Sequence, residues 1–292
     1  MIAANKRNSM FLMAGMVMLL LGLGAVFGGA YGDIYGGLVI ALIVSLVIML
    51  FSWVGGSDAV MAFSGAREIE KADAPQLFNV VEEMAIAAGI PRPRIFVIPS
   101  DAPNAFATGT SPENASVAIT TGLMDKLNRD EVQGVMAHEI GHIRNFDIRY
   151  SLLMAVMAGG IVLLSDLFLR STFLTGGRRR SNDREGGGLQ AILMIVGIVL
   201  AILAPIFAAL IQMAMSRERE YLADASAVEF TRNPDGLANA LEKLAGDRTP
   251  MESSKATEHM YIVSPQLNLR GGAESLFSTH PPIAERIARI RS

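Results

Sequence analysis

The sequence predicts a mainly α-helical membrane protein with a small β-sheet, and two observations carry this prediction. Of its 292 residues 51% are hydrophobic and only 18% are charged, whereas soluble domains average about 25% charged residues. Four apolar runs are close to or longer than the about 20 residues that cross a bilayer as a helix, at residues 10–30, 34–56, 150–169 and 189–216. The net charge of −3 gives no reason to expect a nucleic-acid partner.

The first two apolar runs predict an N-terminal transmembrane hairpin over residues 1–56. Two basic residues precede the run at 10–30, which places the N-terminus in the cytoplasm. A cleaved signal peptide is the alternative, because small residues occur at 25–30. The second run follows after only a short turn around Asp33, and this favours the hairpin.

Residues 57–149 form the first part of the predicted catalytic unit, and from residue 65 onward the composition is that of a soluble domain. An amphipathic helix is predicted at residues 74–88, where a glycine and a proline end it. Short β-like runs separated by turn residues follow at 94–99, 104–109 and 115–121. A small sheet thus leads directly into the next helix.

That next helix, predicted over residues 128–148, carries the sequence His-Glu-x-x-His. Asn128 can cap its start, and apolar residues recur at helical spacing. His138 and His142 are four residues apart on one face, so both imidazoles can bind one metal ion. Glu139 points away from the ligand direction, where a carboxylate can accept a proton from water without binding the metal. The alternative is two surface histidines at this spacing by chance.

The remainder of the chain divides into two parts. Residues 150–216 form a second predicted transmembrane hairpin around an Arg/Gly-rich loop at 170–188. Residues 217–292 form the second part of the catalytic unit, with helices predicted at 217–231, 234–246 and 281–290.

Two histidines do not complete a catalytic zinc site, which uses three protein ligands. The chain has no cysteine, so the third ligand must be a histidine or a carboxylate. Glu220 is the candidate, since helical spacing places Arg217, Glu220 and Asp224 on one face. Asp224 could then hold a ligand imidazole through its second ring nitrogen. The alternative is an ordinary solvated, charged start of a helix.

Four motifs together resemble those of the HtpX family of membrane zinc proteases, which is related to the CAAX prenyl endopeptidases. They are the pair His138 and His142, the pair Glu220 and Asp224, the run Asn-Ala-Phe-Ala-Thr-Gly at 104–109, and the run Phe-Ser-Thr-His-Pro-Pro that contains His280. The resemblance covers nearly the whole chain.

The resemblance implies a gluzincin-type metalloprotease domain with one Zn²⁺ per chain, held by His138, His142 and Glu220, and with Glu139 as general base. It implies cleavage of misfolded or damaged membrane proteins in quality control and the stress response. The expected location is the inner or plasma membrane, with several spans and a cytoplasmic active site. Unfolded or membrane proteins are the expected substrates, the lipid bilayer is the expected surroundings, and other membrane proteases are possible partners.

Two further roles are predicted on the strength of the resemblance. His280 is the candidate donor to the oxyanion, because it lies in a segment stiffened by two prolines. Asn104, Ala105, Phe106 and Ala107 are the predicted substrate platform, an edge strand that pairs with an extended peptide. The alternatives are a surface histidine in a proline-rich turn and an ordinary strand.

Two other functions compete with proteolysis of damaged membrane proteins. A non-catalytic holdase or assembly scaffold would keep the fold without the chemistry, and the intact Glu139 argues against it. A prenyl-protein endopeptidase would need a large enclosed chamber, which four apolar runs are too few to build.

The two ligand segments flank the second hairpin, so both its outer ends must emerge on one side of the membrane. If both runs span, the loop 170–188 lies on the far side with a net charge of +3, against the positive-inside tendency. We predict that the loop is exported. Single cysteines at Ser181 and Ser100 should then react with an impermeant reagent from opposite sides of the membrane. Reaction of both from the cytoplasmic side alone would contradict four spans.

Overall fold

The computed structural model describes residues 33–156, 217–250, 260–262 and 281–292, together with individual positions between 7 and 25. The helices with defined ends are α1 (Ile34–Val54), α2 (Gly56–Phe63), α3 (Pro75–Ala88), α4 (Thr121–Lys126), α5 (Arg129–Arg144), α6 (Arg217–Thr231), α7 (Pro234–Gly246) and α8 (Ile283–Ile290). The strands are β1 (Arg67–Glu68), β2 (Arg94–Ile98), β3 (Ala105–Gly109) and β4 (Ala115–Thr120). Residues 147–156 are helical as well. The prediction of a mainly helical chain with a small sheet is confirmed.

The sheet is mixed, with the strand order β1-β2-β4-β3. Strands β2 and β4 are parallel, and β3 and β1 pair antiparallel at the two ends of this order. Three of the strands were predicted to within about one residue at each end, whereas β1, α2 and α4 were not predicted. Because β3 stands at one end of the strand order, it is an edge strand of the sheet, and it packs beside α5.

Both faces of the sheet are covered, and this explains why every residue of β3 and β4 is buried. Ile95 and Val117 contribute to a core with α3, α5, α6 and α7. Phe96 and Ala118, one position further along each strand, contribute to a second cluster with α2 and the helix that starts at residue 147. The alternation of side chains along a strand thus divides the protein into two apolar layers.

Helix α5 is the central element of the first layer, and its start is fixed by side chains. Asn128 Oδ1 accepts from the Glu131 N–H at 3.0 Å, and Glu131 Oε2 accepts from the Asn128 N–H at 2.8 Å. This reciprocal cap satisfies two backbone donors that the first turn leaves without helical partners. Lys243 of α7 donates to the same Glu131 oxygen at 2.7 Å. The cap therefore also joins α5 to α7.

Close packing of α5 against α7 depends on Gly134. A Cβ at this position would lie 2.5 Å from the backbone nitrogen of Leu237 and 2.8 Å from its Cα. Backbone atoms of α7 cannot move away as a flexible side chain can. Only glycine therefore allows the two helices to approach this closely.

Helix α1 is the membrane-spanning candidate among the described residues. It has 21 residues, a mean hydropathy of 2.7 over its most apolar window, and only 11% of that window is buried. The predicted second span is thus a long, exposed apolar helix. Residues 157–169 of the third run and all of the fourth run lie outside the described part of the chain.

We predict that Gly134→Ala destabilises the protein by about 1–3 kcal/mol, because the added methyl group overpacks a backbone contact. Its matched control is Gly246→Ala, another helical glycine, at which an added Cβ meets nothing within 4 Å. Alanine is favoured over glycine in a helix by about 1 kcal/mol. The control should therefore keep or raise the thermal unfolding midpoint of the purified protein in detergent. Equal midpoints for the two variants would contradict the close contact of α5 with α7.

Candidate metal centre

His138 and His142 lie one turn apart on the side of α5 that faces α6. Their Nε2 atoms are 3.2 Å apart, and the rings stand edge to face with centroids 4.7 Å apart. His138 is 1% exposed, and the His142 side chain is 13% exposed. Two nitrogens each bound to a tetrahedral zinc ion at about 2.0–2.1 Å would lie about 3.3 Å apart. The observed separation matches this value.

Glu220 reaches the same point from the first turn of α6. Its Oε1 lies 3.5 Å from His142 Nε2, and its Oε2 lies 3.8 Å from His138 Nε2. One ligand atom from each of the three residues lies within 4.8 Å of the other two. The three side chains that the sequence predicted as ligands are thus brought together by the fold.

Gly141 allows α6 to approach α5 at the centre. A Cβ at this position would lie 3.2 Å from Ser226 Cβ and 3.3 Å from both Cα and O of Ala223. The glycine lies between the two histidines in sequence, so this close contact of the helices is at the level of the ligands. This contact places the first turns of α6 over the imidazoles.

Each histidine is oriented by an aspartate through its Nδ1. Asp224 Oδ1 lies 3.0 Å from His138 Nδ1, and Asp147 Oδ2 lies 3.1 Å from His142 Nδ1. Phe146 lies between α5 and the helix that begins at Asp147, and its φ of 61°, which is rare for a residue other than glycine, interrupts the helical path just before Asp147. Ionised carboxylates only accept, so each Nδ1 carries a proton and Nε2 is the nitrogen that remains to face a metal ion. This is the ligand form of histidine.

The electrostatics of the centre favour a bound cation. Burial lowers the pKa of His138 to about 4, so this ring is neutral at pH 7. Burial opposes the charge of His142 too, but its hydrogen bond with Asp147 and the negative charge of Glu220 raise the pKa of His142 to about 9. In the absence of a metal, His142 therefore carries a second proton on Nε2 at pH 7, and a bound cation would take the place of that proton.

Glu139 is 2% exposed and lies on the side of α5 next to β3. Burial raises the pKa of its carboxyl group to about 7, and a backbone hydrogen bond from Ala107 of β3 opposes this rise. A carboxyl group with a pKa near 7 is suited to exchange protons at neutral pH. Of the predicted platform residues, Asn104, Ala105, Phe106 and Ala107 are all buried along the edge of the sheet.

The structure does not bring Arg217 to the centre, although its spacing from Glu220 and Asp224 suggested that it would. Arg217 is the first residue of α6 and is exposed. Two other arginines, Arg219 and Arg286, are buried there instead. His280 lies outside the described residues, so its predicted role stays a prediction.

Asp147 and Arg286 were both missed by the sequence reasoning. Asp147 gave no usable signal, since an acid five residues after His142 would not face it on a regular helix, and the left-handed conformation of Phe146 is not visible in the sequence. Arg286 did give a signal: it lies between Ile283, Ile287 and Ile290 on one face of α8, and a charge within an apolar face needs a buried partner.

Comparisons with known proteins match most or all of the chain. The model of peptidase family M48 matches residues 71–292. A "Protease HtpX homolog" of Streptococcus uberis is 45% identical over 293 residues, covering 99% of this chain and 98% of that protein. The protein of the same name from Listeria monocytogenes serotype 4a is 47% identical over 299 residues, covering 100% of this chain and 98% of its own length.

The crystal structure of S. mikatae Ste24p is similar in fold. Its TM-score is 0.51 at 21% sequence identity, and the match covers 99% of this chain. The chain spans 66% of the length of that protein. At this identity the similarity concerns the fold alone.

We predict that Glu220→Gln loses metal, because a neutral amide replaces the charged ligand. The loss of affinity should exceed the about 10–100-fold that follows removal of an outer-shell partner. Glu218→Gln on the same helix turn is the matched control, since Glu218 is exposed, and it should keep one metal ion per chain. Metal content after dialysis, measured by atomic absorption, checks both variants. Full metal content in Glu220→Gln would exclude Glu220 as a ligand.

Proposed function

Because the chain belongs to peptidase family M48 and is a metalloprotease, we propose that it is a membrane-bound zinc endopeptidase that cleaves misfolded or damaged membrane proteins. One observation carries this proposal: three ligand atoms from His138, His142 and Glu220 converge, and the buried Glu139 lies beside them.

Zinc is the metal that suits these donors. Two neutral imidazoles and one carboxylate form a common catalytic zinc set, and the spacing of the two Nε2 atoms fits its tetrahedral geometry. When bound, zinc supplies activation of water and polarisation of the scissile carbonyl. Asp224 and Asp147 keep the imidazoles in the required tautomer and orientation.

Glu139 is the proposed general base. Its carboxylate accepts a proton from the attacking water and delivers it to the nitrogen of the leaving amine. Burial raises the pKa of this group to about 7, which makes both transfers accessible at neutral pH. The Ala107 N–H beside it keeps the carboxylate close to β3.

The edge of β3 is the proposed binding surface for the substrate backbone. In an antiparallel pair, alternate residues direct their N–H and C=O groups away from the partner strand, and Ala105 and Ala107 do so here. The carbonyl of Ala105 accepts from the N–H of Ile262 at 3.0 Å, so the chain itself takes up this position. The N–H of Ala107 is hydrogen-bonded to Glu139, so the carbonyl of Ala107 is the outward group that a bound peptide would meet beside the base. Backbone pairing of this kind makes little demand on sequence, as cleavage of damaged proteins requires.

Two parts of the proposal concern segments beyond the described residues. His280 is proposed as donor to the oxyanion and precedes α8 by only a few residues. The second transmembrane hairpin is proposed to span the bilayer, with α1 as a further span and the metal centre on the cytoplasmic side.

We predict that Glu139→Gln keeps the fold and bound zinc but loses peptide hydrolysis by at least about 10²-fold, since only the proton acceptor is removed. Glu229→Gln is the matched control, because Glu229 is 60% exposed on α6. Turnover should be measured on one membrane protein in its native and a destabilised form. Wild-type protein and the Glu229→Gln control should cleave the destabilised form faster than the native form. A chelator should stop cleavage by both proteins.

Two results would contradict the proposal. Substantial turnover by Glu139→Gln would move the base to another residue. If wild-type protein and this variant bind the destabilised form equally and cleave nothing, the chain is a non-catalytic holdase.

A further inference from the structure

Arg286 is a buried cation at the C-terminal end of the chain. It is 0% exposed, although α8 has only eight residues and carries it between apolar neighbours. A guanidinium group removed from water is strongly destabilising unless it is paired in good geometry. The residues that pair with the Arg286 guanidinium group therefore indicate its role in the protein.

Asp224 is the main partner, and the contact is a two-point fork. Arg286 Nε donates to Asp224 Oδ2 at 2.9 Å, and Nη2 donates to Oδ1 at 2.7 Å. The same Oδ1 lies 3.0 Å from Nδ1 of His138. Since both carboxylate oxygens are held, Asp224 cannot rotate away from the imidazole.

Arg286 also reaches three other parts of the site, and the first is the His138 ring itself, whose Nδ1 lies 3.4 Å from Nη2 of Arg286. Its Nη1 lies 3.7 Å from Oε2 of Glu220, so one guanidinium group is close to a metal ligand and to the residue that orients a second ligand. Nη1 also donates to the carbonyl of Ile262 at 3.4 Å, and the N–H of Ile262 donates to Ala105 of β3. Helix α8 is thereby joined to the metal centre and to the strand edge.

We propose that Arg286 is a positioning residue of the metal centre: it fixes Asp224 against His138 and sets the affinity of the site for its metal ion. This inference rests on the proposed zinc site and goes beyond it, because it assigns the last helix of the chain a role in metal binding. The alternative is that Arg286 only attaches α8 to the rest of the protein.

A double-mutant cycle on metal affinity separates these two roles. The affinity of the full-length protein for Zn²⁺ alone is measured by competition with a chromophoric chelator, so no substrate or activity is needed. Asp224→Asn and Arg286→Gln should each weaken zinc binding by about 10–100-fold. Because Arg286 acts through Asp224, the double variant should bind zinc about as well as the weaker single variant.

Two controls test simple attachment of α8. Arg291→Gln removes an exposed arginine that bonds Glu242 at 2.6 Å and Asn239 at 2.8 Å on α7. Ile290→Ala removes apolar packing of α8 against the main core. Both weaken the docking of α8 without touching Asp224, and both should keep zinc affinity within about 3-fold of the wild-type value.

The absorption spectrum of the Co²⁺-substituted protein supplies a second readout. Arg286→Gln should shift the visible bands, because the ring of His138 changes its orientation, while Ile290→Ala should leave them unchanged. Arg286→Lys keeps the charge but cannot make the two-point fork, so its zinc affinity should fall between those of the wild-type protein and Arg286→Gln. If Arg286→Gln does not fold, Arg286→Lys replaces it in the double-mutant cycle with Asp224→Asn.

Three results would overturn the proposal. They are zinc affinity of the Arg286 variants within about 2-fold of wild type, additive losses in the cycle, or an equal loss in Ile290→Ala. If the wild-type protein itself fails to bind zinc, the proposed function fails instead, and the two failures are thereby distinguishable.

Discussion

The crossing of α5 and α6 at Gly141 is the contact on which the rest of the metal centre depends. His138 and His142 lie on α5, but Glu220 and Asp224 lie on α6, beyond the two apolar runs of the second hairpin. Close packing of the two helices brings these residues together. A Cβ at Gly141 would come within 3.3 Å of the Ala223 backbone, so the sequence leaves no side chain there. Gly134, seven residues earlier on α5, allows the same kind of close contact between α5 and α7.

Once the helices meet, the centre must balance a concentration of buried charge. Glu139, Asp147, Glu220 and Asp224 are all buried around the histidines, and the buried cations beside them are Arg219 and Arg286. With neutral histidines and ionised carboxylates, this set has a formal charge of −2. Burial is the main cause that raises the pKa of Glu139, whereas the pKa of His142 is raised, against the effect of its burial, by its hydrogen bond with Asp147 and by the negative charge of Glu220. A divalent cation restores the balance, which is the electrostatic reason to expect one.

The same arrangement relates the site to the membrane. Asp147, which orients His142, begins the helix that continues into the third apolar run. Two residues later, the guanidinium group of Arg149 lies 5.0 Å from the Trp53 ring near the end of α1. Tryptophan is favoured at the membrane interface. In the proposed topology, the metal ligand His142 is thus held by Asp147, the first residue of a helix that enters the membrane. Peptide cleavage then takes place close to the membrane surface, where damaged membrane proteins expose unfolded chain.

The sequence by itself determined what depends on local pattern. The period of apolar residues and the helix-ending residues located α3, α5, α6 and α7, and three strands were predicted from short β-like runs between turns. His138, Glu139 and His142 were assigned from their spacing alone, because a helix fixes the geometry of residues one turn apart. Family resemblance, rather than spacing, identified Glu220 as the predicted third ligand.

The tertiary structure decided what depends on distant contacts. Asp147 faces His142 after the left-handed conformation of Phe146 interrupts the helical path, Arg286 meets Asp224 only because α8 docks on α6, and Arg217 turned out to be exposed. No periodicity encodes such pairings, since they arise when separate segments pack and a buried charge must find its partner.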